Sequence, residues 1–134
     1  MAGLVFVDAN IPMYLVGAPH PNRERAQAVL EQCARRGDRL VTDAEVLQEV
    51  LHRYLAINRR DAIGPCLDTL LGIVDEVIPV TGDDVLEARR LLLELPALSA
   101  RDAVHAAVMR RRGVQRLVSF DRGFDAIVGL ERLS

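Results

Sequence analysis

Short apolar runs alternate with longer amphipathic stretches along the chain. Residues 3–8 (GLVFVD) are apolar at consecutive positions, the pattern of a strand covered on both faces, and 39–42 (RLVT) and 115–119 (QRLVS) repeat it. Residues 76–80 (EVIPV) predict a strand that Pro79 confines to a sheet edge or a strand end, because proline has no amide proton for a ladder. A terminal edge strand is predicted at 130–133. Between these runs the apolar period lengthens to that of a helix, near 11–17, 21–36, 43–58, 60–73, 82–95 and 99–112. Strands separated by helices need crossover connections with helices on both faces. The expected fold is therefore a three-layer α/β/α domain with a central, mainly parallel sheet of about four to five strands.

No repeat, low-complexity tract or linker divides the sequence. Its 134 residues suffice to bury a core without disulfides or metals, so one domain over 1–134 is expected. Half the residues are hydrophobic but only 4% aromatic, which makes the core aliphatic. A net charge of −2 offers nucleic acid no bulk attraction and leaves such binding to local patches. All 17 basic residues are arginine, which removes any mechanism built on a catalytic lysine. Cys33 and Cys66 lie far apart and are expected to be reduced core thiols. The first apolar run lacks a basic leader and is interrupted by Asp8, Asn10 and Pro12. It suits neither a signal peptide nor a membrane span, and a cytoplasmic location is expected.

Open α/β sheets bind ligands outside the carboxyl ends of their strands. Asp8 closes the first strand, and Asp121 follows "RLVSF" in the same way. Helix starts share that edge. In "SARDAVHAAVM", Ser99 is the expected N-cap and Asp102 stands where a capping box places its acid. Positions 103–109 are nonetheless apolar nearly all round, so this helix is buried and carries its leading carboxylate into the sheet edge. In "TDAEVLQEVLHRYL", Thr42 and Glu45 predict a second capping box. The period there places Leu47, Val50, Leu51 and Tyr54 on the core stripe, leaving Glu49 on a solvated face with Arg53 as its i,i+4 partner. Asp83 or Asp84 falls in the first turn of a helix opening at "TGDD", and Asp125 lies beyond a strand end in "RGFDAI" as an outer group. Two strand-end aspartates and one at a buried helix start converge on one edge, where burial and mutual repulsion raise their pKa values unless a cation intervenes. Without lysine, and with oxygen ligands predominating, the natural counter-ion is Mg²⁺ or Mn²⁺, and such a site suits phosphodiester hydrolysis by an activated water.

Four stretches in this order, "FVDANIPMYL", "VTDAEVLQEVLHRY", "LSARDAVHAAVMRRRGV" and "RLVSFDRGFD", resemble the PIN-domain ribonucleases, specifically the VapC toxins of bacterial type II toxin–antitoxin pairs. The resemblance spans essentially the whole chain. It implies that Asp8, Glu49, Asp102 and Asp121 surround the Mg²⁺ or Mn²⁺, with Asp8 and Asp102 as direct ligands, and so brings Glu49 into the site. Ser119 matches the family's hydroxyl-bearing residue near the last acid, and Asn10 a polar group supporting the first. Ala9 departs from the common Thr or Ser. The implied activity is metal-dependent endonucleolytic cleavage of single-stranded RNA, without a covalent intermediate. The implied partners are a second copy in a homodimer and a VapB-type antitoxin whose C-terminal segment occupies the toxin groove, with no membrane.

Candidate RNA contacts are Arg35, Arg36, Arg59, Arg60, Arg101, Arg110 to Arg112 and Arg122; Arg101 and Arg122 adjoin proposed metal-binding acids. His105 lies one turn beyond Asp102 and either touches substrate or is a hydrogen-bonded core histidine, outside the catalytic set. A phosphoacceptor receiver domain would need a lysine at a late strand, and a haloacid-dehalogenase phosphatase would need D-x-D where this chain has Asp8-Ala9-Asn10. No glycine-rich nucleotide loop follows a strand. The alternative left open is a PIN-like module that binds RNA or protein without cutting.

Overall fold

The computed structural model describes residues 3–134, so the first two positions of the expected 1–134 domain lie outside the described residues. Five strands, β1 (Leu4–Val7), β2 (Arg39–Asp43), β3 (Glu76–Ile78), β4 (Arg116–Val118) and β5 (Glu131–Leu133), form one all-parallel sheet in the order β3-β2-β1-β4-β5. Six helices join the first four, α1 (Asn10–Val16), α2 (Pro21–Arg36), α3 (Ala44–Ala56), α4 (Ile63–Ile73), α5 (Gly82–Glu94) and α6 (Ala100–Arg112), and a 3₁₀ segment at Arg122–Ala126 leads from β4 to β5. From β1 the chain winds through β2 to β3 and then returns across the sheet to β4 and β5. Right-handed crossovers accordingly place α1 to α4 on one face and α5 and α6 on the other. The packing agrees: α1 rests on α2 and α4, α3 on α4, and α5 on α6. The expected three-layer architecture and all five strands are present.

β1 is central, and Val5, Phe6 and Val7 are fully buried, as their unbroken apolar run requires. β3 is an edge strand that stops immediately before Pro79. α2 and α6 both end on a glycine in the left-handed region, Gly37 at φ 74° and Gly113 at φ 69°, whose N–H groups close the last turns. Cys33 and Cys66 are buried and unpaired. The predicted helix over 60–73 divides into a 3₁₀ turn at Arg60–Ala62 and α4. Pro65 lacks an amide proton and fits only the first α turn, so that turn starts at Ile63.

The Thr42–Glu45 capping box does not form. β2 runs one residue further than expected, Thr42 Oγ1 donates to the Val7 carbonyl at 2.9 Å, and Asp43 becomes the N-cap by accepting from the Val46 N–H at 2.9 Å. The box at Thr81 and Asp84 does form, with reciprocal bonds of 3.2 and 2.9 Å.

Asp38 ties three elements at the opposite edge of the sheet. Its fully covered carboxylate accepts from Arg116 Nη2 at 2.8 Å, Arg36 Nε at 3.0 Å and the Gly3 N–H at 3.0 Å. The Arg116 bond, then those of Arg36 and Gly3, outweigh burial and hold its pKa down at about 2. A depressed carboxyl pKa stabilises the fold fully above the unfolded value near 4 and loses that contribution as pH falls toward 2. Asp38→Asn is expected to cost about 1.5–3 kcal/mol at pH 7, with the gap to wild type narrowing below pH 4; urea denaturation at pH 7, 4 and 3 measures both.

Candidate active site

Strand order reverses between β1 and β4, and the crevice outside the carboxyl ends of two such strands is where doubly wound sheets hold ligands. Asp8 follows β1 directly, and its N–H extends the ladder to the Val118 carbonyl at 3.1 Å. The carboxylate is almost wholly buried. Oδ1 accepts from the Ala9 N–H at 2.8 Å; Oδ2 accepts from Ser119 Oγ at 2.6 Å and Asn10 Nδ2 at 3.3 Å. Asn10 Nδ2 also reaches Ser119 Oγ at 3.2 Å, and its Oδ1 accepts from the Phe120 N–H at 3.3 Å. Asn10 and Ser119 thus fix one rotamer of Asp8 and stitch the ends of β1 and β4 together. The Ala9 contribution is a backbone one and needs no hydroxyl at position 9.

Asp102 opens α6, and its N–H bonds the Ser99 N-cap at 3.1 Å. Its carboxylate, however, faces Asp121 across the crevice instead of completing a capping box. Burial, then the hydrogen bond and charge of Asp121, then the charge of Asp8, push the Asp102 carboxyl up to about 8. Asp121 moves the other way: the bond from Asp102, with the Gly123 N–H at 2.8 Å, holds it below the ordinary range. Asp8 is raised chiefly by burial. The pair is crowded at Gly123, where an added Cβ would stand 3.0 Å from Asp121 Oδ1 and 3.5 Å from Asp102 Oδ2. Gly123→Ala is therefore expected to displace these carboxylates, weakening divalent-cation affinity roughly tenfold with little change in melting temperature; titration calorimetry and a thermal melt separate the two effects.

Glu49 is not on a solvated face. The buried stripe of α3 is Val46, Glu49, Val50 and Tyr54, whereas Leu51 is 40% exposed. The expected pair with Arg53 does form, at 2.9 Å, and Arg101 stands 3.8 Å away. Burial works to raise the Glu49 carboxyl, but His105, Arg53 and Arg101 together hold it below its ordinary value.

His105, set outside the catalytic residues on sequence grounds, lies inside this cluster. It is fully buried, and its Nδ1–H donates to Asp43 Oδ2 at 2.8 Å. Its Nε2 faces Glu49 Oε1 at 3.6 Å and Asp8 Oδ1 at 3.9 Å and makes no hydrogen bond among the described residues. Burial opposes its charge, yet the bond to Asp43 and the facing carboxylates of Glu49 and Asp8 prevail and lift its pKa to about 10.

These groups line a cleft of about 630 Å³, with Asp8, Glu49, Asp102 and Asp121 at its acidic centre and Arg53, Arg101, Tyr14 and Phe120 on its walls. Arg53 is an addition to the expected set. Arg122 lines a separate pocket with Leu95, Pro96 and Leu98. Arg36, Arg59, Arg111 and Arg112 pair with Asp38, Asp61, Asp84 and Glu76, away from the cleft. Asp125 accepts from Arg132 Nε at 2.9 Å and Nη2 at 3.1 Å, and Nη1 of the same guanidinium donates to the Ser119 carbonyl at 3.1 Å. Four carboxylates in one cleft, two of them driven toward protonation, make a site whose electrostatics a divalent cation would satisfy. Ligand atoms of Asp8, Glu49 and His105 lie within 4.8 Å of one another, close enough to surround an ion.

A parallel α/β sheet with an acidic cleft at its switch point defines the class. Residues 5–130 match the PIN domain model, and the chain belongs to that family. Within it the relatives are VapC ribonucleases. The chain is 56% identical over 131 residues to ribonuclease VapC13 of Mycobacterium tuberculosis, spanning 98% of this chain and 100% of that one. It is 43% identical over 118 residues to VapC23 of the same organism, spanning 88% and 93%. Among solved structures, M. tuberculosis VapC20, a sarcin–ricin loop cleaving toxin, matches with a TM-score of 0.77 and 26% identity over 91% of this chain and 93% of that one. VapBC2 from Rickettsia felis, bound to a fragment of its promoter DNA, matches in fold with a TM-score of 0.75 and 18% identity, over 98% of this chain and 99% of that one.

Proposed function

We propose that this protein is the toxin of a type II toxin–antitoxin pair, a divalent-metal-dependent endoribonuclease acting on single-stranded RNA. The observation that carries the reading is the gathering of Asp8, Glu49, Asp102 and Asp121 into one cleft at the β1–β4 switch point. Asp8 and Asp102 would hold the metal directly, with Glu49 and Asp121 around it, and Mg²⁺ or Mn²⁺ suits these oxygen donors. Such an ion supplies an activated water and polarises the scissile phosphate.

The chain's own residues do the rest. Ser119 and Asn10 hold the Asp8 carboxylate in a fixed orientation, so little reorganisation is needed on binding. Burial and the neighbouring Asp121 favour the protonated Asp102 carboxyl, and loss of that proton makes both carboxylates available. Arg53 and Arg101 offer guanidinium groups to phosphate oxygens on the cleft wall. His105 and Asp43 support Glu49 from behind. No serine, cysteine or lysine nucleophile is required.

The family's homodimer and VapB-type antitoxin complete the proposal, with the antitoxin segment covering the cleft. The proposed location is the cytoplasm; among the described residues no helix is long and apolar enough to cross a membrane. Induced expression in a bacterial host tests the toxin reading. Growth is expected to stop with wild type and to continue with Asp8→Asn at equal protein level. Equal arrest by both would contradict it.

A further inference from the structure

The chain has five aromatic residues, three Phe and two Tyr. Phe6 and Phe124 are fully buried and Tyr54 nearly so. The two half-exposed ones, Tyr14 and Phe120, both stand on the wall of the acidic cleft, edge to face with centroids 5.4 Å apart. Tyr14 also meets the exposed His20 ring at 4.9 Å, and the Arg25 guanidinium lies over Phe120 at 5.2 Å. Beyond Tyr14 the cleft continues into a second groove of about 410 Å³, floored by Met13, Pro19 and Tyr54, with Asn10, Tyr14 and Arg53 lining both. Among the described residues no carboxylate lines the second groove, and its charged side chain is Arg53, so the acidic cleft opens into an apolar, cationic extension.

We infer that this groove is a nucleobase subsite: an unpaired base flanking the scissile phosphate stacks on the Tyr14 ring while Arg53, at the junction, meets the intervening phosphate. The inference rests on the nuclease reading for the position of that phosphate. Every base has a flat π-face, so stacking on an aromatic side chain suits a single strand and is tolerant of sequence. A base within a duplex presents no free face and could not enter, which makes the subsite a selector for unpaired nucleotides. An RNA strand also matches the charge of the groove, which Arg53 lines, while Arg25 lies over Phe120 on the wall of the adjoining cleft.

The test is a short unstructured RNA carrying 2-aminopurine at each position in turn, bound with Ca²⁺ in place of Mn²⁺, with cleavage in Mn²⁺ followed in parallel. Wild type is expected to quench the fluorescence at one position beside the cut. Tyr14→Leu is expected to abolish that quenching and weaken RNA binding on the order of tenfold, whereas Tyr14→Phe, which keeps the ring, retains both. An abasic nucleotide at the same position should weaken wild-type binding equally and Tyr14→Leu no further. Additive losses, or unchanged quenching in Tyr14→Leu, would overturn the inference and leave the groove to a protein partner. Quenching without any cleavage by wild type would uphold the subsite and defeat the nuclease reading.

Discussion

Asp102→Asn is expected to abolish RNA cleavage while raising the stability of the metal-free protein. The loss of a proposed direct metal ligand should slow cleavage at least on the order of 10³-fold. The gain in stability follows from the same carboxyl. Its pKa is about 8 in the folded protein, raised by burial, by Asp121 and by Asp8, against about 4 in the unfolded chain. A raised carboxyl pKa costs the fold nothing below pH 4; the cost grows between pH 4 and 8 and is complete above 8. Asparagine removes that charge at every pH. In EDTA, the melting temperature of wild type should therefore fall relative to Asp102→Asn as pH rises from 5.5 to 8.5. Added Mn²⁺ should restore wild type and leave the variant unmoved. A variant that melts below wild type at pH 8.5 in EDTA would show that repulsion among these acids is not the governing effect. Function here is held in an arrangement that lowers stability.

His105→Leu should have the largest effect on folding. It leaves Asp43, fully buried, without its Oδ2 partner and removes the buried imidazole facing Asp8 and Glu49. Breaking a buried charge pair from one side costs about 3–5 kcal/mol, against a total stability of about 5–15 kcal/mol for a domain. The expected fall in melting temperature is roughly 10–20 °C. Asp43→Asn added to His105→Leu neutralises the stranded carboxylate and keeps the Oδ1 acceptor that caps α3, so the double variant should recover part of the loss. Because the folded pKa of His105 is about 10, its contribution is full below about pH 6.5 and fades only toward pH 10. Thermal melts of the three proteins at pH 7 decide the matter. A double variant no more stable than His105→Leu would mean that the imidazole matters by filling space beside Phe6 and Phe124.

What was legible in the sequence depended on whether the signal was local. The run Leu4 to Val7 ending on Asp8 declared a buried strand with a carboxylate at its mouth, and the apolar girth of 103–109 placed Asp102 inside. Glu49 was misplaced because the apolar period also fits a stripe through Leu47 and Leu51; packing buried Val46 and left Leu51 out, turning the helix by about one residue. Resemblance to a family, not periodicity, recovered it. The cap of α3 was misassigned because strand β2 takes Thr42 into its ladder region and leaves Asp43 at the turn. His105 was illegible as part of the cluster, since its partner Asp43 lies 62 residues away and only the β2–α6 juxtaposition joins them. Arg122 adjoins Asp121 in sequence but faces another pocket, whereas Arg53 reaches the cleft from one turn beyond Glu49.

The central claim is that these four carboxylates hold a divalent ion that cuts RNA. The most direct measurement is cleavage of a mixed structured RNA pool by purified protein in Mn²⁺, in EDTA, and with Asp8→Asn beside wild type. The account predicts discrete cuts in Mn²⁺ that vanish in EDTA and in Asp8→Asn, with the variant still folded by circular dichroism. Cleavage that survives EDTA or Asp8→Asn, or intact RNA with wild type shown free of bound antitoxin, would contradict it.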